Sequence, residues 1–116
     1  KFGVPAEADL VFDCRFLPNP NFVPSLKPLT GNHAPVVRYM KRQPDTEVFL
    51  GKLRSFLSYV LPRYVKEGKS YLTVGVGCTG GRHRSVMIAN ALGQWLERQG
   101  YPVKVRHRDL RQEQAG

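Results

Sequence analysis

In the stretch VGVGCTGGRHRSV, Val74 to Val86, the thiol of Cys78 is followed after five residues by Arg84 and then Ser85. This spacing of a nucleophile and a guanidinium fits cysteine-dependent phosphatase chemistry. A loop of backbone N–H groups lowers the thiol pKa, the arginine holds phosphoryl oxygens, and the thiolate attacks phosphorus. Such chemistry also needs a general acid on a separate loop, and Asp13 and Asp45 are the candidates. The same residues suit an anion that is held and not transformed. Gly80 and Gly81 allow close approach to the backbone, Thr79 and Ser85 supply hydroxyls, and Arg84 offers a paired hydrogen-bond fork. Arg82, His83 and Arg84 in one turn would repel each other without a counter-charge, which favours an anion site over a bare tight turn. Cys78 as a buried, inert thiol at a strand end is equally ordinary, so spacing alone leaves both chemistries open.

To hold that loop, the chain must supply a strand before it and a helix after it. Ser70 to Cys78, SYLTVGVGC, is apolar at nearly every position, the pattern of a central parallel strand buried on both faces. From about His83 to Gln99 the apolar side holds Ile88, Ala91, Leu92, Trp95 and Leu96, with Gly100 placed as a C-terminal cap. A first strand is expected at Asp9 to Phe16, and a third at Val103 to Arg108, because both alternate. Leu17 to Pro35 holds five prolines and no period, a long ordered loop of the kind that often carries function. Pro35 opens a short helix to about Arg42, and Pro44 with Asp45 or Thr46 starts a longer one. In that longer helix Val48, Phe49, Leu53, Phe56, Leu57, Val60, Leu61 and Tyr64 form the stripe; Pro62 is expected to kink it and Gly68 to end it. Strands separated by helices predict an α/β fold, a small parallel sheet with flanking helices, with ligands at the carboxyl ends of the strands. Cys14 and Cys78 both stand at such ends.

The 116 residues suit one domain spanning 1–116, and 18 lysines and arginines against 9 acids leave nine positive charges in excess. That balance attracts polyanions. The alternating segment and tail, Lys104, Arg106, Arg108 and Arg111, with Arg82 from the loop, carry one sign only and form a candidate RNA-binding face; the bland alternative is a solvated face. No apolar run reaches the roughly 20 residues that span a bilayer, and the first residues lack a signal-peptide core, so a soluble, cytoplasmic protein with no membrane partner is expected. The absence of an initiating Met points to an excised fragment. Two scattered cysteines and three histidines give no zinc spacing, so no metal is expected. His33 reads as a loop histidine, His107 as a satisfied core residue, and Asp13 beside Arg15 as either an ion pair or a ligand contact. QEQAG reads as a frayed tail.

FDCRFLPNPNF, LTG, SYLTVGVGCTGGRHRSV and VRHRDL, in that order and across almost the whole chain, resemble the C-terminal domain of the RapZ family of bacterial RNase adapter proteins. The resemblance implies a phosphofructokinase-like α/β half of a two-domain protein whose N-terminal, P-loop half binds and hydrolyses nucleotides such as ATP or GTP. No Walker-type loop occurs in this chain. It further implies a non-catalytic domain without a cofactor of its own. Such a domain binds glucosamine-6-phosphate, contacts small regulatory RNA and presents it to an endoribonuclease. Apart from the resemblance, a homo-oligomer is expected, since it would present several basic faces to one RNA. On that resemblance Thr79, Gly80, Gly81, His83 and Arg84 form the sugar-phosphate site, completed by Asp13, Arg15 and Asn19, with Asn21, Cys78 and Ser85 beside them. Asn21 stands where enterobacterial relatives have a histidine, and the tail DLRQEQAG lacks their lysine-rich end. A cysteine-dependent phosphatase using Cys78 and Arg84 is the alternative.

Overall fold

The computed structural model describes residues 8–77 and 82–107. Strand β1 (Leu10–Asp13) lies parallel to β2 (Val74–Gly77), with Leu10 opposite Val74 and Asp13 opposite Gly77. Helices α1 (Ala34–Arg42) and α2 (Pro44–Lys66) connect the strands, and α3 (Arg84–Arg98) follows β2. The architecture is the α/β arrangement expected.

β1 stops earlier than its alternation implies. The Asp13 carboxylate accepts the Arg15 amide at 2.9 Å, an Asx turn that bends the chain away from the ladder after Cys14 donates its own amide to Gly77 at 2.9 Å. At the opposite end Asp9 accepts the Thr73 amide at 2.8 Å and pairs with Lys69 at 3.0 Å, tying the two strand starts together. The Thr73 hydrogen bond and then Lys69 hold the Asp9 carboxyl below its ordinary value.

The long proline-rich segment is ordered by a succession of turns. Asn19 Oδ1 accepts the Asn21 amide at 3.0 Å and caps the 3-10 turn Pro20–Phe22; further bonds run from Leu26 to Val23 and from Leu29 to Leu26. α1 and α2 break at Gln43, which stands at the N-cap of α2 in place of Asp45 or Thr46, while Pro44 takes the first helical position. α2 runs on through Pro62 as one helix; the Ser58 carbonyl, which loses its partner there, belongs to an exposed residue that water can serve. Gly68, at φ 88°, and Gly100, at φ 96°, end α2 and α3 in the same way. Lys69 bonds back to Tyr64 and Gly68 to Val65, while Tyr101 bonds to Leu96 and Gly100 to Glu97: two Schellman caps that need left-handed backbone at the glycine.

The core gathers Leu50, Leu53, Leu57 and Leu61 of α2, Val36 and Met40 of α1, Met87, Ile88 and Leu92 of α3, and Cys14 and Leu17. Two expectations are corrected. Val48 and Phe56, placed on the α2 stripe, are exposed, because Leu50, Leu53, Leu57 and Leu61 form the buried line of α2 and these two stand to its side. Residues 103–107 form no third strand. Gly93 has no Cβ, and Val105 and Val103 pack into the gap it leaves on α3; a Cβ there would sit 2.8 Å from Val105 Cγ2. The alternation of this segment is thus matched by a helix groove instead of a sheet edge. A cavity of about 360 Å³ lies between β2, the ends of α2 and α3, and residues 101–106. No helix among the described residues is long and apolar enough to cross a membrane.

Candidate functional site

Three consecutive basic residues open α3, and each reaches a different turn of the chain. Arg82 Nη2 donates to the Pro28 carbonyl at 3.0 Å. His83 Nε2 meets the Leu26 carbonyl at 3.2 Å; a carbonyl only accepts, so this nitrogen carries the proton. Arg84 Nη1 donates to the carbonyls of Arg15 and Leu17, the second at 3.1 Å. Gly31 closes the packing: its amide donates to the Arg82 carbonyl at 2.8 Å, and a Cβ there would come within 2.5 Å of the His83 oxygen and the Met87 nitrogen. The proline-rich loop is therefore clamped onto the start of α3 by backbone oxygens that also offset the charges of the three residues. Mutual repulsion, which the sequence pattern raised as a reason for an anion, is already relieved in part by these carbonyl dipoles.

Arg84 is only 5% exposed, and among the described residues its Nε and Nη2 donors have no protein acceptor. It fastens the loop with one nitrogen and keeps the rest of its fork. The first amides of α3 lack partners within the helix, and the His83 side chain does not cap them, so the dipole of α3 favours negative charge at this end. Ser85 is buried in the same turn.

At the end of β1, Arg15 is held by Asp13 through Nε (2.9 and 3.1 Å) and Nη2 (2.7 Å). Hydrogen bonding and then the charge of Asp13 raise the Arg15 pKa above its ordinary value. Both side chains reach solvent, and Arg84 binds the Arg15 backbone directly, so Asp13, Arg15, His83, Arg84 and Ser85 belong to one end of the parallel sheet. Asn19 and Asn21 follow on the same loop, Asn19 engaged as the cap and Asn21 exposed. Cys78, Thr79, Gly80 and Gly81, and likewise Arg108 and Arg111, lie outside the described residues.

Lys104 and Arg106 are exposed, but they are not next to Arg82. Val105 packs at Gly93, nine residues and so about 14 Å along α3 from Arg84. One polar connection crosses that distance in part: His107 Nε2 to Asn90 Oδ1 at 2.9 Å, and Asn90 Nδ2 to Asn32 Oδ1 at 2.8 Å. Burial lowers the His107 pKa from its ordinary value. Asn32 and Asn90 carry no signal in the sequence, since an asparagine in a loop and one on a helix surface are common. Among the described residues no group of three or more His, Cys, Asp or Glu could hold a metal.

A family model described as RapZ C-terminal domain matches residues 1–111. The chain belongs to the RapZ C-terminal domain family. It is 57% identical over 110 residues to a nucleotide-binding protein of Acidobacterium capsulatum, covering 95% of this chain and 36% of the relative. It is 56% identical over 108 residues to one of Paramagnetospirillum magneticum, covering 93% and 35%. Against one of Heliobacterium modesticaldum it is 51% identical over 116 residues, covering 100% and 38%. The RapZ-family chain thus spans a little over a third of the length of these curated relatives.

Proposed function

We propose that this RapZ-family domain is a non-catalytic sensor that binds an amino-sugar phosphate of the glucosamine-6-phosphate kind, binds small regulatory RNA, and adapts that RNA to an endoribonuclease in the cytoplasm. The observation that carries the reading is the meeting of opposite charges at one sheet end. A carboxylate, Asp13, stands on β1, and a guanidinium with donors not taken up among the described residues, Arg84, stands at the N-terminus of α3. An amino-sugar phosphate carries an ammonium at one end and a dianion at the other, and it matches that pairing. Thr79, Gly80 and Gly81 would add backbone amides between the two, and Asn19 and Asn21 would meet the sugar hydroxyls. Lys104 and Arg106, with Arg108, Arg111 and Arg82, supply cations for the phosphates of RNA. The domain needs no cofactor of its own. The names of the relatives, nucleotide-binding protein, fit a nucleotide-binding function in the part of the longer proteins that this chain does not cover. A homo-oligomer would present several basic faces to one RNA.

Asp13→Asn tests the reading without touching Arg84. Calorimetry should show the variant losing at least tenfold in affinity for glucosamine-6-phosphate while its affinity for glucose-6-phosphate, which lacks the amine, stays nearly unchanged. Equal losses for both sugars, or no binding by the parent, would overturn the assignment. Phosphate release from an aryl phosphate that Cys78→Ser abolishes would replace it with the phosphatase alternative.

A further inference from the structure

α2 carries a second face beside its leucine ladder, half-buried against the core at Phe49 and exposed from Lys52 to Arg63. Phe49, Lys52, Phe56, Tyr59 and Arg63 recur at alternating intervals of three and four, so they line one side of the helix over about 21 Å. Phe56 is 43% exposed and Tyr59 60%. Phe16, also 60% exposed, extends the strip by standing perpendicular to Phe49 at 5.0 Å between ring centres; Phe56 stands perpendicular to Phe12 at 6.2 Å. A perpendicular contact fixes a ring without covering both of its faces. Arg63 is fixed twice, its guanidinium 3.8 Å from the centre of the Tyr59 ring and its Nη1 donating to the Tyr59 carbonyl at 2.7 Å. The result is a rigid planar platform with one side outward. Among the described residues neither Lys52 nor Arg63 has a carboxylate at ion-pair distance.

Exposed rings set between cations that pair with no carboxylate among the described residues repel a second copy of a chain with nine excess positive charges, but they suit a strand that offers both flat bases and phosphates. We propose that this strip binds a single-stranded stretch of RNA, its bases stacking on Phe16, Phe56 and the Arg63–Tyr59 platform while Lys52 contacts phosphate. The inference rests on the RNA-binding reading and deepens it. Lys104 and Arg106 lie across the cavity from Leu57, Leu61 and Tyr64, on another side of α2, so one RNA would meet two surfaces with different tasks. The basic segment reads phosphates on any RNA, whereas the strip selects unpaired bases, because a duplex keeps its base faces stacked inside.

Filter binding with the whole chain tests this, using an oligo-uridine and a fully paired hairpin of equal length. Removing two of the three stacking positions in Phe56→Leu/Tyr59→Ala should weaken oligo-uridine binding about tenfold or more, leave hairpin binding within twofold, and leave the salt dependence of both unchanged, since no charge is removed. Phe56→Leu keeps apolar bulk against Phe12, and Tyr59→Trp should restore binding and show quenched fluorescence on adding the oligomer. Equal binding of oligo-uridine by parent and double variant, with the parent still binding RNA, would overturn the strip alone. A parent that binds neither RNA would overturn the RNA reading beneath it. A parent that sediments as a dimer which the double variant dissolves would make the strip a self-association surface instead.

Discussion

The basic residues at the start of α3 and those beyond its end look alike in sequence, yet the fold treats them in opposite ways. Arg82, His83 and Arg84 point into the molecule and spend hydrogen bonds on carbonyls 54, 57, 69 and 67 residues away. Lys104 and Arg106 face solvent and have no ion pair among the described residues. The first group braces the proline-rich loop against α3, and any ligand it met would share donors with the backbone. Charge in the second group is free to meet a polyanion and contributes little to the fold. A count of basic residues cannot separate these two uses; the number of carbonyls within reach can.

The sharpest way to break the contrast is Arg84→Ala. It should remove roughly 2–4 kcal/mol of sugar-phosphate binding and, because the loop carbonyls of Arg15 and Leu17 lose their donor, lower the melting temperature as well. Arg84→Lys should recover stability better than binding, since one ammonium can serve a carbonyl but cannot replace the fork. Calorimetry and thermal melts read the two effects separately, and a variant with unchanged affinity would remove Arg84 from the pocket.

Gly31→Ala tests the clamp from the loop side. The added methyl meets backbone at 2.5 Å on two sides, which cannot yield as a side chain tip would, so a loss of about 1–3 kcal/mol in urea unfolding is expected. Substituting Ala at Gly93 should cost less, because Val105, a side chain near the surface, can move aside.

Much of this architecture was legible before any coordinate. The break at Gln43–Pro44 and the ends at Gly68 and Gly100 follow from local rules that act within a few residues. The end of β1 and the fate of Val103 to His107 did not, for definite reasons. Asp13 can extend a strand or turn it, and the alternating valines fit a sheet edge or a groove over a glycine equally well. The convergence of β1's end on the start of α3 was foreseen from the strand-end rule. That the basic triplet would be braced by a loop without periodicity was not, because its partners are backbone oxygens and any sequence supplies those.

Smaller effects should come from the exposed group. Lys104→Gln with Arg106→Gln should leave the melting temperature almost unchanged and flatten the slope of log RNA affinity against log salt by somewhat under one unit for each cation that had neutralised a phosphate. An unchanged slope would return both residues to the solvated surface. His107 marks the boundary between the two groups. Burial favours its neutral ring, so its folded pKa lies below the unfolded value near 6.5. The unfolded chain therefore takes up the proton first as pH falls through about 6.5, and stability should decline there and be retained above it. His107→Gln should flatten that decline in melts between pH 7.5 and 5.5, and an identical decline in the variant would place its cause elsewhere.

The pairing of Leu10 with Val74 has a consequence for the order of assembly. Strands 64 positions apart cannot meet until the whole of α1 and α2 has been made, and closing so long a loop is entropically slow. α2 holds its leucine ladder within 23 residues and its C-terminal cap directly after them, so it can form early. During synthesis β1 therefore waits with Leu10 and Phe12 uncovered until Gly77 has emerged. Pulse-labelled amide exchange during refolding should protect the α2 amides first and those of Val11 to Asp13 late, which makes the sheet that carries the candidate site the last part of the molecule to become itself.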